Sequence, residues 1–160
     1  MSGSQSFFDL VEVGMTQETG SHTFGAEEIV EFAREFDPQP FHLTQEAAEK
    51  SHFGSLCASG WHTIAAWMNL NVRHGYRGLR EQAGYSGDMP KLGASPGVRN
   101  IKWTHPVYVG DTITYRSTVT GKKHGKTKGW GLMTFRTEGF NQDGVKVLTM
   151  DGAARMRMEE

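Results

Sequence analysis

One stretch constrains this chain more than any other. Residues 59–80 read as a long helix with Ser59 as its N-cap, and its interior carries Trp61, Ile64, Ala65, Ala66, Trp67, Met68, Leu70 and Val72. The apolar positions run most of the way round. A helix of that kind is buried on several sides in water, so the rest of the chain must supply a sheath. At 160 residues there is one domain's worth of chain to do it. That is too short for a doubly wound dinucleotide enzyme with a second domain, or for an eight-stranded α/β barrel.

The sheath lies downstream. Residues 98–109, 112–120, 130–141 and 145–158 are strand candidates. The clearest alternation is in the second, where Ile113, Tyr115 and Val119 are spaced by polar residues. Gly110-Asp111 and Gln142-Asp143-Gly144 are the turn signals between them. Upstream, residues 26–36 have apolar residues at helical spacing, with acidic residues in the first turn. That helix must stop at Asp37, because Pro38 disfavours helical geometry in the residue before it. Thr44 caps a short helix over residues 45–50, and residues 51–58 form a loop. Residues 1–20 read as an irregular N-terminal arm, followed by a short strand at 21–24. Helices segregated from strands indicate α+β. The economical assembly of the whole 1–160 chain is a single hot-dog domain, a curved antiparallel sheet wrapped around one long central helix.

Composition removes several function classes. Hydrophobic residues are 37% and charged residues 22%, a globular balance. Seventeen Lys and Arg against eighteen Asp and Glu give a formal charge of −1, and no whole-chain field for nucleic acid or an anionic membrane. The basic tip at residues 121–128 reads as a solvated hairpin. The single cysteine, Cys57, excludes an intrachain disulfide framework and a multi-cysteine zinc site, and reads as a small packed residue. No signal-like or membrane-spanning run is present, so the expected location is cytoplasmic.

The informative segment is EFDPQPFHLTQEAAEKSHFGSLCASGWHT, residues 35–63. Asp37 ends one helix and His42 follows five residues on, with Pro38 and Pro40 between them. A rigid turn of this kind can hold a carboxylate and an imidazole on one side of a loop, with a water bridging them. That is a general acid/base arrangement. Ser59-Gly60 then opens the long helix, whose first N–H groups have no intrahelical partner and carry partial positive charge. They can polarise a carbonyl oxygen, and Gly60 has no side chain to block its approach. On the plainer reading, Asp37 merely ends a helix before proline and His42 is an ordinary loop histidine.

With Asp37, His42 and Ala58-Ser59-Gly60 in place, the segment resembles the MaoC-like dehydratase family, which includes (R)-specific enoyl-CoA hydratases. The stretch VRNIKWTHPVYVGD at 98–111 resembles the family's strand after the helix, and the likeness covers roughly residues 20–157. Many members have Asn two residues after the Asp and His-Gly at the helix start, where this chain has Gln39 and Ser59-Gly60. The resemblance implies a homodimer or higher homo-oligomer with an acyl-CoA thioester substrate. Water adds reversibly across a trans-2-enoyl double bond: His42 activates it, Asp37 shares the proton traffic, and the helix start at Ser59 and Gly60 binds the thioester carbonyl. No cofactor is implied, coenzyme A being part of the substrate.

Two other functions remain open at this stage. A hot-dog thioesterase commonly carries an acidic residue on the long helix, and residues 61–72 have none. A non-catalytic acyl-thioester-binding module has no need of both Asp37 and His42. No metal is expected: His42, His52 and His62 recur every ten residues, unlike the i, i+4 pair of a helical zinc motif. His62 and His74 read as structural or interface residues.

Overall fold

The computed structural model describes residues 5–158. The elements in chain order are α1 (Phe7–Leu10), β1 (Thr16–Thr23), α2 (Ala26–Phe36), α3 (Pro40–Leu43), α4 (Gln45–Glu49), α5 (Gly60–His74), α6 (Arg77–Gln82), β2 (Val98–Trp103), β3 (Thr112–His124), β4 (Trp130–Phe140) and β5 (Lys146–Arg157). The strands form one antiparallel sheet in the order β1-β3-β4-β5-β2. With α5 packed against it, this is a hot-dog fold.

Local chemistry accounts for the elements that hold the site. Glu27 and Glu28 sit in the first turn of α2, and Ile29 and Ala33 are its buried face. It ends at Asp37, whose N–H still donates to Ala33 O at 2.9 Å while its φ and ψ have left the helical region. Across Pro38, Gln39 N donates to Asp37 O at 2.8 Å, a three-residue turn that suits proline's fixed φ. Pro40 then occupies the first turn of α3, where its missing N–H costs nothing. Thr44 caps α4 by accepting from Ala47 N at 3.2 Å. The turn between β4 and β5 is closed by Asn141, whose Oδ1 accepts from the N–H groups of Asp143 and Val145.

Three expectations are corrected. The stretch read as an irregular arm contains α1 and most of β1, and β1 starts well before residue 21. Its inward residues include Gln17 and Thr19, so the strand's alternation is polar and gives no hydrophobic signal. Ser6 caps α1 with a reciprocal bond to Asp9. Phe7, Phe8 and Val11 are then buried in a second core with Tyr76, Leu79, Met133, Phe135 and Met156.

The long helix stops at His74. Gly75 takes a left-handed conformation, with φ of 58°, and Tyr76 does the same before α6 begins. A glycine there is a C-terminal stop signal inside the apolar run.

Nor is α5 covered all round. His62, Thr63 and Ala66 are buried, while Trp61, Ala65, Met68 and Val72 form an exposed stripe, with Val72 at 70%. Trp103 is exposed beside that stripe, on the edge strand β2.

The sheet still holds α5 firmly. β3 buries Ile113, Tyr115, Ser117 and Val119 in strict alternation. The Tyr115 hydroxyl donates to Thr63 O at 2.7 Å, and burial pushes that phenol well above its ordinary pKa, so it stays a neutral donor.

Candidate active site

Asp37 and His42 meet at the opening of α5. Asp37 Oδ2 is 3.5 Å from His42 Nε2, and both side chains are largely buried. The other ring nitrogen of His42, Nδ1, lies 2.6 Å from Cys57 O. A carbonyl oxygen only accepts, so Nδ1 carries a proton, and in the neutral ring Nε2 presents its lone pair towards Asp37. The Cys57 carbonyl is itself fixed by backbone pairing: Ala58 N donates to Val107 O at 2.8 Å, and Cys57 bridges Tyr108. The chain after β2 therefore sets the tautomer of a histidine some sixty residues earlier.

Asp37 is held from two further sides. Ser59 Oγ donates to Oδ2 at 2.7 Å, and Gln39 Nε2 donates to Oδ1 at 2.8 Å. Ser59 Oγ also accepts from Trp61 N at 3.3 Å, so Ser59 caps the helix and positions the carboxylate together. Its side chain is wholly buried, whereas Gly60 lines the cavity beside it. That cavity is about 600 Å³ in volume, and Asp37, His42, Phe41, Phe53 and Trp103 also line it. The backbone N–H of Gly60, first in the helix, has no intrahelical acceptor. A β-carbon at Gly60 would lie within 3.0 Å of the Trp103 indole, so glycine is required for that close approach.

The four residues singled out from the sequence thus converge, Ser59 through its side chain on Asp37 and Gly60 at the cavity wall. Sequence reasoning missed the Cys57 carbonyl, which no side-chain pattern can reveal. Gln39, legible only as a departure from the family pattern, is a partner of the Asp37 carboxylate, and Trp103 is part of the cavity wall. Cys57 itself lines the cavity but is 1% exposed, and burial pushes its thiol up to about 11, which keeps it protonated at neutral pH. The basic tip is partly committed elsewhere: Lys122 Nζ donates to Phe8 O at 2.7 Å.

The arrangement is a lone-pair nitrogen and a carboxylate oxygen converging on one point, next to the positive end of a helix. The sequence profile of the MaoC like domain matches residues 9–135. The chain belongs to the MaoC-like family. A MaoC-like dehydratase of Rhodospirillum rubrum has a solved structure that is 32% identical, with a TM-score of 0.77 over 93% of this chain and 94% of that one. The (R)-hydratase of A. caviae involved in PHA biosynthesis is 25% identical, with a TM-score of 0.65 over 91% and 96% of the two chains. A Bacillus subtilis (strain 168) protein of uncharacterised function, YdeM, is 30% identical over 139 residues, 87% of this chain and 90% of that protein. The kinship with MaoC-like and (R)-hydratase structures supports hydratase-type chemistry for this MaoC-like chain.

Proposed function

We propose that this MaoC-like protein is a hydro-lyase that adds water reversibly across the double bond of a trans-2-enoyl thioester, with coenzyme A as the carrier and part of the substrate. The observation that carries the reading is the 3.5 Å approach of His42 Nε2 and Asp37 Oδ2. Two acceptors facing each other at that distance suit a donor that serves both, and water is such a donor. His42 Nε2 takes one proton of the water as its oxygen bonds to C3 of the enoyl group. The π electrons move towards the thioester oxygen, which accepts from Gly60 N–H as it gains enolate charge. A proton then reaches C2 through Asp37 and the imidazolium, so the elements of water end on adjacent carbons. Cys57 O and Asp37 stabilise the transient imidazolium from its two sides. The chemistry needs no organic cofactor and no catalytic metal.

The working form is a homodimer. The outer edge of β2 pairs with no strand among the described residues, and an open edge invites a second strand. Beside it lie Trp103 and the exposed stripe of α5. A two-fold pairing of β2 edges buries both surfaces at once. Light scattering on the purified protein checks this, and a monomer at micromolar concentration contradicts it. The location is the cytoplasm, supported by the lone buried thiol. No helix among the described residues is long and apolar enough to cross a membrane.

The deciding experiment is a panel of crotonyl-, longer-chain and branched enoyl-CoA substrates, with enoyl absorbance and free coenzyme A followed together and product stereochemistry determined. Loss of enoyl absorbance without release of coenzyme A is the expected outcome. Release without hydration marks a thioesterase, and binding without either marks a non-catalytic acyl-thioester-binding module.

A further inference from the structure

Away from the cavity, three side chains with metal-ligating atoms converge from three different elements. His22 on β1, Glu28 on α2 and His62 on α5 each offer one donor atom, and these atoms lie within 4.8 Å of one another. His22 Nε2 is 3.0 and 3.1 Å from the two carboxylate oxygens of Glu28. The carboxylate is held in turn by Gly25, whose N–H donates to Glu28 Oε1 at 2.9 Å. The two imidazole planes are fixed by aromatic rings. Phe24 meets both edge-on, with centroids 4.7 and 4.9 Å away, and Phe32 stacks on His62 at 4.6 Å and 7°. His62 is only 7% exposed, and its buried Nδ1 has no hydrogen-bond partner.

We propose that His22, Glu28 and His62 form a binding site for a divalent cation of the zinc class. Two imidazoles and one carboxylate suit Zn²⁺ and its neighbours, and not Mg²⁺ or Ca²⁺, which prefer oxygen donors alone. With bonds of about 2.0–2.2 Å, neighbouring donors of a tetrahedral centre stand roughly 3.3 Å apart. His22 and Glu28 are already close to that separation, so only His62 has to move in, by up to about 1.5 Å. The Gly25 bond to Glu28 is the outer support that orients such ligands. His22 and Glu28 are about a third exposed, which lets water complete the coordination. The cation would tie β1 and the start of α2 to the first turn of α5, two residues past Gly60. Its role is to clamp the helix that carries the cavity wall, and it takes no part in the hydration chemistry. The ten-residue spacing of His42, His52 and His62 gave no sign of it, because its donors come from elements distant in sequence.

The test is calorimetric titration of chelator-treated full-length protein with ZnCl₂, together with thermal melts and the visible spectrum of the Co²⁺ form. One Zn²⁺ per chain is expected, with a tetrahedral Co²⁺ spectrum. At a hundredfold excess over Kd, the melting temperature should rise by about 5–10 °C. His22→Ala and Glu28→Gln, both at partly exposed positions, should each weaken binding by more than the ~10–100-fold that losing an outer support costs. His42→Ala and His52→Ala should leave it unchanged. Absence of binding below about 100 μM overturns the proposal. So does binding that survives both His22→Ala and Glu28→Gln.

Discussion

The two hydrophobic cores of this MaoC-like domain are built on opposite plans. The core around Phe24, Ile29, Ile113, Tyr115 and Leu148 surrounds the start of α5, and beside it Asp37, His42 and Ser59 are drawn in from solvent. The core around Phe7, Phe8, Val11, Leu79, Met133 and Met156 is an apolar cluster that α1 and Val11 close. Gly131 lets Phe8 come so close that a β-carbon there would collide with its ring. One end of the sheet is sealed by aromatic packing; the other keeps a cavity of about 600 Å³, at which Asp37 is tied to Gln39 and Ser59, and His42 to the Cys57 carbonyl. Sealing one end leaves the fold able to carry a desolvated carboxylate and imidazole at the other.

That contrast can be broken by mutation, and the largest effect is expected at the open end. His42→Ala and Asp37→Asn should each lower turnover by roughly 10²–10⁴-fold, with melting temperatures close to the parent. Near-normal hydration by either variant removes that residue from the chemistry. At the sealed end the effects should reverse. Phe8→Ala should cost about 3–5 kcal/mol of stability, read by urea unfolding, while kcat at low temperature stays within about twofold. An equal loss of kcat would show that the two ends are not independent.

Gly60→Ala lies between these cases. The new methyl must displace the Trp103 indole from the cavity wall, and turnover should fall by up to ~10²-fold through misplaced substrate, with little change in unfolding. Ser59→Ala removes the bond to Asp37 Oδ2. A loss of about tenfold in kcat is expected, with a displaced pH–rate profile, whereas a purely structural role would shift stability and leave the profile in place. The smallest effect concerns Cys57. Because burial holds its pKa near 11, its thiol should resist alkylation at neutral pH until the domain unfolds, and rapid labelling of the native protein would contradict this.

Legibility followed the physics of each region. The site end is readable because its devices are local: a proline after Asp37, a proline opening α3, Thr44 and Ser59 as caps, and a glycine at the helix start all act within a few residues. What escaped there came from across the fold, as with the Cys57 carbonyl aimed by residues 107–108. The sealed end reads as an irregular arm because β1 turns Gln17 and Thr19 inward, and α1 is a single turn secured by Ser6 and Asp9. Gly75 stops α5 within a stretch whose apolar spacing reads as helix through residue 80. The exposed stripe of α5 reads as core from the sequence because an apolar helix face carries the same pattern whether or not the fold covers it.

The claim on which the rest depends is that Asp37 and His42 act as a unit on one water molecule. A double-mutant cycle in enoyl-CoA hydration measures it directly, using Asp37→Asn, His42→Ala and the pair combined. The double variant should be about as slow as the slower single variant, since groups that work together are strongly non-additive. Losses that multiply would show that the two side chains act independently, and would contradict the account.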